Sequence, residues 1–286
     1  MEITAKRSGC WLWLWLSWVF TAIQNSCRQI MVCILRAGPI PRHIAIIMDG
    51  NRRFAQRRSM EKKAGHEFGA ESLMQTLRNC YEMGVDCVTV YAFSIDNFKR
   101  SREEVDALMD LMQHKLEALL DKESLVNQAG IRVRLLGNLE LLPERVRHAA
   151  EKVMVRTMSN SKAILNVCVA YTSTEEIVHA VQGACQGVLG FESVNRREIE
   201  TEDIESHLYT AGCPDPDLLI RTSGESRLSN FLLWQSGFCY LHACGVLWPE
   251  FSFRHLFLAV LGYQRACSYI NQGQKHKSLK GLSSPL

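Results

Sequence analysis

No two cysteines of this chain stand in a CxxC pair, and no His pair would complete a zinc site with Cys80 and Cys87 or with Cys239 and Cys244. The total of eleven is odd, and Cys87 and Cys168 lie inside apolar runs, where a thiol behaves as a small hydrophobe. A disulfide scaffold is thereby excluded, and a reducing compartment with cytosolic exposure is the expectation. Excess charge is scarce as well: 33 Lys and Arg against 30 Asp and Glu leave +3, too little for a general nucleic-acid binder. The nucleotide fingerprints GxxxxGK[ST] and GxGxxG are missing, as are the GxSxG elbow and the HExxH zinc motif. There is no internal repeat and no low-complexity tract. What remains is ordinary globular composition over 286 residues, long enough for a full hydrophobic core.

Four of the six tryptophans fall between Trp11 and Trp18, with Lys6 and Arg7 before them and Gln24, Asn25 and Arg28 after. The apolar stretch ends near Ile23, short of the ~20 residues that cross a bilayer. A second apolar patch runs from Ile30 to Leu35, between Arg28 and Arg36. A cleaved signal peptide would need a small-residue cleavage site, which does not follow; a spanning helix would have to tolerate residues 24–29. A helix lying in the membrane interface fits best, because a Trp ring is apolar while its N–H stays wet. Residues 1–36 are therefore read as a Trp-rich membrane-associating segment, 37–272 as the body and 273–286 as a loose polar tail.

After the stiff linker Gly38-Pro39-Ile40-Pro41, short apolar runs alternate with amphipathic segments. Strands are expected at His43–Met48, Cys87–Phe93, Ile131–Leu136, Ala163–Ala170, Leu218–Ile220 and Phe238–Val246. Helices are expected over Glu67–Gly84, over Ser101–Asn127 with a Ser101/Glu104 capping box, from Pro143 to Ser159, after a Ser173 cap, and over Phe253–Ile270. This pattern implies a single α/β domain: a mostly parallel central sheet of about six strands flanked by helices, with ligands bound outside the carboxyl ends of the strands.

Those ends carry the chemistry. Met48-Asp49-Gly50-Asn51-Arg52-Arg53-Phe54 follows the first strand. Gly50 permits close backbone approach, Arg53 can fork onto phosphate oxygens, and Asp49 can hold Mg²⁺ against the same phosphates. Tyr91-Ala-Phe-Ser94-Ile-Asp-Asn97-Phe-Lys-Arg100 ends the second strand. The fifth ends in Arg221-Thr-Ser-Gly-Glu-Ser-Arg227-Leu-Ser229, two arginines six apart around a Ser-Gly turn. One such cluster is a charge run; three at carboxyl ends describe a polyanion pocket. Glu176 and the Asp215-Pro-Asp217 pair read instead as a solvated helix face and a turn into a strand. A nucleic-acid binder built on Arg52 to Arg58 would lack aromatic stacking positions and an overall basic field.

The segment His43-Ile-Ala-Ile-Ile-Met-Asp-Gly-Asn-Arg-Arg-Phe54 resembles the signature of the cis-prenyltransferases, the undecaprenyl diphosphate synthase family. Tyr91-Ala-Phe-Ser-Ile-Asp-Asn-Phe98, Asp217-Leu-Leu-Ile-Arg-Thr-Ser-Gly-Glu225, Arg227-Leu-Ser-Asn-Phe-Leu-Leu-Trp-Gln235 and Leu247-Trp-Pro-Glu-Phe251 are similar to its later blocks, in order, over roughly Gly38 to Ile270. The acid-rich DDxxD of the all-helical prenyl synthases is absent. Phe98 and Ser223 resemble the eukaryotic branch, the dehydrodolichyl diphosphate synthases and plant rubber-type enzymes.

The resemblance implies repeated condensation of isopentenyl diphosphate onto an allylic primer such as farnesyl diphosphate. Z double bonds form and pyrophosphate leaves, with Mg²⁺ as cofactor. It implies that Asp49 positions the metal, that Gly50, Asn51, Arg52 and Arg53 hold the primer diphosphate with His66 nearby, and that Asn51 stands near the proton to be removed. Ser94 and Asn97 would line the reacting centre with Phe98 as an apolar wall, and Arg100, Arg221, Arg227 and Ser229 would bind isopentenyl diphosphate. A hydrophobic tunnel for the growing chain would run along the Glu67–Gly84 and Ser101–Asn127 helices. Bacterial homodimers of the family carry a Glu after the Leu-Leu-Trp-Gln block and a terminal Arg-x-Gly element. Here Ser236-Gly-Phe-Cys-Tyr240 and Ser278–Leu286 offer neither, as in eukaryotic catalytic subunits, which implies a non-catalytic partner of the Nogo-B-receptor type. The cytosolic face of the endoplasmic reticulum membrane is the implied location. The rival reading is that this chain is itself the scaffolding subunit, but such subunits usually lose the Asp-Gly-Asn-Arg-Arg cluster.

Overall fold

The computed structural model describes residues 5–121, 123–189 and 198–281. Six runs rich in branched and aromatic residues form one sheet: β1 (His43–Ile47), β2 (Cys87–Ser94), β3 (Ile131–Leu136), β4 (Ala163–Tyr171), β5 (Leu218–Arg221) and β6 (Tyr240–Ala243). Every pairing is parallel, in the order β3-β4-β2-β1-β5-β6. β1 is buried along its whole length, as a central parallel strand must be. Its side chains alternate with period two: Ile44 and Ile46 join the main core, Ala45 and Ile47 a smaller cluster with Leu219, Tyr171 and Phe231. β1 lies between β2 and β5, where the winding of the sheet reverses, and such a switch point leaves a crevice at the carboxyl ends.

The helices are α1 (Ala5–Arg36), α2 (Asn51–Arg57), α3 (Lys62–Met83), α4 (Arg102–Ala118), α5 (Leu125–Ala129), α6 (Glu144–Thr157), α7 (Ser173–Leu189), α8 (Thr201–His207) and α9 (Phe253–Gly281). Several differ from the sequence expectation. α3 begins five residues early, at Lys62, so His66 sits inside the helix rather than at its start; Gly84 closes it in the left-handed region. The expected helix over Ser101–Asn127 is two helices, α4 and α5. Ser101 caps α4 by accepting from the Glu104 N–H, but Glu104 spends its carboxylate on basic side chains instead of completing a capping box. The cap of α7 is Thr172, whose Oγ1 accepts from the Glu175 N–H, while Ser173 accepts from the Leu233 N–H. α9 runs on to Gly281, so the tail read as loose is helical as far as that residue; 282–286 lie outside the described residues.

α1 is one continuous helix, and its C-terminal half docks on the body. Leu35 is fully buried, Arg28 donates to Asn79 and Glu82 of α3 and stacks over the Phe253 ring, and Gln264 of α9 donates to the Leu35 carbonyl. Trp15, Trp18, Phe20 and Ile23 remain more than half exposed. Among the described residues no helix is long and apolar enough to cross a membrane.

Candidate active site at the carboxyl ends of the strands

The loops after β1, β2 and β5 meet in one basin with two lobes. One lobe, about 750 Å³, is lined by Asp49, Gly50, Asn51, Arg52, Arg53, Lys62, His66, Arg100, Glu225 and Arg227 among others. The other, about 550 Å³, is lined by Asp49, Asn51, His66, Tyr91, Ser94, Asn97, Arg100, Arg221, Arg227 and Ser229 among others. Asp49, Asn51, His66, Arg100 and Arg227 belong to both. Every residue that the family resemblance assigns to the site therefore lines the basin except Phe98. That ring sits 4.9 Å, edge-on, from Phe93, which itself lines the second lobe. Phe98 thus backs the wall rather than forming it.

Local rules explain this convergence. Gly50 takes φ +113 directly after β1, and a Cβ there would lie 2.9 Å from Leu247 Cδ2 and 3.0 Å from its Cα, so only glycine turns the chain into α2. Ser94 accepts from the Asp96 N–H and Asn97 returns a bond from the Ser94 N–H, a capping box on the short 3-10 turn Ile95–Lys99. After β5, Ser223 and Ser229 hold positive φ, 73° and 50°, a cost tolerated where the backbone must turn polar groups toward a ligand.

Asp49 is the hub. Arg221 Nη2 donates to its Oδ2 at 2.9 Å, Arg53 lies 3.5 Å from Oδ1, and Thr222 Oγ1 both accepts from the Asp49 N–H and donates to its carbonyl. Burial would raise the Asp49 pKa. The hydrogen bonds from Arg221 and Ser223 and the charges of Arg221 and Arg53 outweigh it and hold the carboxyl below its ordinary value. Arg221 is nearly buried and also donates to the Arg227 carbonyl and to Ser229 Oγ, which fixes the second cationic wall.

Glu104 anchors the opposite wall and was not legible as a site residue. Its carboxylate takes a 3.0 Å bond from Arg100 and lies 3.4 Å from Lys62 and 3.7 Å from Arg52. Burial opposes its charge, but those three cations win and its pKa falls. His66 is pushed down to about 4, first by burial and then by the charge of Arg100, so it stands neutral at physiological pH; its Nε2 is buried with no partner among the described residues. Asn51 Oδ1 is likewise a buried acceptor with none. Gly69, also missed, makes room for it: a Cβ there would come within 2.3 Å of Asn51 Oδ1. Glu176, read as solvated, is wholly buried and takes hydrogen bonds from Tyr171 and Gln235, away from the basin.

Five arginines and Lys62 thus face Asp49, Glu225 and Asp96 across the two lobes, a surplus suited to two polyanions held side by side, while Glu104 lies behind Arg100 and Lys62 in the wall of a third cavity. A third cavity, about 340 Å³, opens between the N-terminal halves of α3 and α4 over Ala107, Leu108 and Leu111. Beyond it, Leu73, Met74 and Met112 pack on the core.

The sequence model of the undecaprenyl diphosphate synthase family matches residues 47–269. A dehydrodolichyl diphosphate synthase of Solanum lycopersicum is 48% identical over 88% of this chain and 94% of its own. A rubber cis-polyprenyltransferase of Hevea brasiliensis is 43% identical over 91% of this chain and 95% of its own. The human dehydrodolichyl diphosphate synthase complex subunit is 42% identical over 91% of this chain and 78% of its own. Among solved structures, lavandulyl diphosphate synthase from Lavandula x intermedia, in complex with dimethylallyl diphosphate, superposes with a TM-score of 0.72 at 32% identity. It covers 79% of this chain and 95% of the other.

Proposed function

This chain belongs to the undecaprenyl diphosphate synthase family and is a cis-prenyltransferase that makes long-chain Z-polyprenyl diphosphate, and from that premise we propose how its own residues serve the reaction. The observation that carries the reading is the shared position of Asp49 between two cation-lined lobes. An allylic primer, farnesyl diphosphate, places its diphosphate among Gly50, Asn51, Arg52, Arg53 and His66. Isopentenyl diphosphate places its own among Arg100, Arg221, Arg227 and Ser229. Neutral His66 donates a hydrogen bond without adding charge, and Asn51, with its unpaired Oδ1 on both lobes, orients the carbon that loses a proton. Ser94 and Asn97 hold the reacting ends against the Phe93–Phe98 wall. The arginines matter most as pyrophosphate departs and its charge grows.

The donor set fits Mg²⁺. No cluster of three His, Cys, Asp or Glu exists among the described residues, and this hard cation asks for only one or two carboxylates beside phosphate oxygens and water. Asp49 is that carboxylate, and the ion, when bound, neutralises the leaving diphosphate.

Two further assignments belong to this reading. The chain works beside a non-catalytic subunit of its own fold, of the Nogo-B-receptor type. In support, the human relative is named as a complex subunit, and β6 is an edge strand near which Leu233, Phe238 and Leu241 stand exposed. It sits on the cytosolic face of the endoplasmic reticulum membrane, held by residues 1–36, where the exposed Trp15, Trp18, Phe20 and Ile23 match an interfacial helix. Residues 37–272 form the catalytic domain.

The test is incorporation of labelled isopentenyl diphosphate into a farnesyl primer with Mg²⁺, by this chain alone, with the partner, and as Asp49→Ala with the partner. Activity in the pair that disappears with Asp49→Ala is expected. Full activity of the chain alone overturns the partner assignment, and activity that survives Asp49→Ala in the pair would make this chain the scaffold.

A further inference from the structure

At the opposite, amino-terminal end of the sheet lies a second cluster that the prenyl-transfer chemistry leaves unused. Cys87 opens β2 and is buried; Cys213, partly buried, sits in the loop between α8 and β5. Asn166 of β4 extends Nδ2 to both sulfurs, 3.5 Å from each, and donates to Thr89 at 3.0 Å. Arg134 of β3 is fixed by the carbonyls of Tyr209 (2.9 Å) and Ala211 (3.1 Å), which aims its remaining donation at Cys213 Sγ, 3.1 Å away. His43 of β1 closes the group with bonds of 2.7 Å to Thr89 Oγ1 and to the Pro214 carbonyl. Asn166 is wholly buried, yet its Oδ1 has no hydrogen-bond partner among the described residues. A thiol beside a fixed guanidinium, with a second thiol in reach, is the arrangement that favours a thiolate.

We propose that Cys213 is a hydroperoxide-reactive thiolate and Cys87 its resolving thiol, joined on oxidation as a Cys87–Cys213 disulfide. A hydrogen bond from the Cys87 S–H, followed by those from Asn166 and Arg134, brings the Cys213 thiol down to about 5 against the effect of burial. The same contact, together with burial, pushes Cys87 up, so the shared proton rests there. The thiolate attacks the distal oxygen of a hydroperoxide; an S–O bond forms, the O–O bond breaks, and the leaving oxygen takes a proton from water to depart as an alcohol. The loss of negative charge at Cys213 removes two of the causes that hold the Cys87 proton. Cys87 sulfur then attacks Cys213 sulfur, an S–S bond replaces the S–O bond, and hydroxide leaves with the Cys87 proton as water. Two thiols are oxidised by two electrons, and one hydroperoxide is reduced to alcohol and water.

The test follows alkylation and oxidation residue by residue in the reduced full chain by mass spectrometry. At pH 6 a thiolate of this acidity outreacts glutathione, added as a free reference thiol, toward iodoacetamide by about tenfold, its lower nucleophilicity cancelling part of a larger ionisation advantage. We expect that ratio, a Cys213 rate flat from pH 6 to 8, and a lower Cys213 rate at pH 6 in Arg134→Gln. One equivalent of hydrogen peroxide should link the Cys87 and Cys213 peptides with loss of two hydrogens. Cys87→Ser should instead stop at a Cys213 sulfenic acid that dimedone traps. A Cys213 rate that climbs with pH as the glutathione reference does, or peroxide treatment that leaves both thiols free, would overturn the assignment. Both of those readings come from the unmodified chain, so they stand even if the variants fold poorly.

Discussion

Asp49 is kept ionised by Arg221 at Oδ2 and by Arg53 beside Oδ1, and an ionised carboxylate is what a hard cation requires. Replacing it by Asn keeps the acceptor for Arg221 and removes the charge. Asp49→Asn is expected to lower turnover on the order of a hundredfold or more while the Michaelis constant of the primer moves far less, measured by steady-state incorporation at saturating Mg²⁺. Gly69 makes a different kind of prediction. It sits in the middle of α3, where the sequence shows only a residue with poor helix propensity, and nothing in that pattern says that Asn51 Oδ1 fills the space where its Cβ would be. Helix propensity alone would make Gly69→Ala stabilising by roughly 1 kcal/mol. The contact reverses that expectation: Asn51 must swing away, so we expect turnover to fall about tenfold or more in the paired assay while urea unfolding shows no gain in stability. Glu104 was hidden for the related reason that a Ser-x-x-Glu spacing reads as a capping box, and only the fold brings Arg52, Arg100 and Lys62 around its carboxylate.

At the scale of elements, the strands were the most legible part, because a central parallel strand writes its burial directly as an apolar run and β1, β3 and β5 fall within one residue of expectation. Helix boundaries were less so. Between α4 and α5 the apolar spacing continues through Leu116, Leu119 and Leu120 with no Gly or Pro to mark a break. The break is made by Asn127, whose Nδ2 donates to the carbonyls of Leu119, Leu120 and Asp121, and by Ser124, which caps α5. Such a side chain acting backward on the preceding turn has no sequence signature. The docking of α1 was equally invisible, since Leu35 belongs to the same apolar patch as the exposed Ile30 and Ile34. Its burial predicts a local effect. Leu35→Ala removes about 3 kcal/mol of packing. Because α1 meets the body through one face only, the loss should appear as faster hydrogen exchange in residues 26–36 with the melting temperature of the sheet little changed. A fall in melting temperature without local exchange would mean that α1 is integral to the cooperative unit.

Across the whole molecule the two ends of the sheet are specialised. The carboxyl end gathers like charges and positive-φ residues such as Ser223 and Ser229, features that cost stability and that bound polyanions would offset. The amino end locks the strands together. Asp217 accepts from the N–H groups of Arg42 and His43, and the His43 ring ties β1 to β2 through Thr89 and to the β5 loop through Pro214. That lock has a pH dependence whose sign follows from its burial. Desolvation lowers His43 to about 4, against 6.5 in the unfolded chain, so between those values the unfolded state binds the extra proton and folding weakens as pH falls. The stabilisation is complete above about pH 6.5, and from pH 7 to pH 5 the loss from this one ring is about 2 kcal/mol. His66 is lowered in the same direction and adds to it. Urea unfolding at the two pH values should therefore show a large drop in the native chain. In His43→Gln about 2 kcal/mol of that drop should vanish, whatever the variant costs at neutral pH. An unchanged drop would show that the ring finds a way to protonate in place, and that the strands at this end are held by Asp217 and Arg134 rather than by the imidazole.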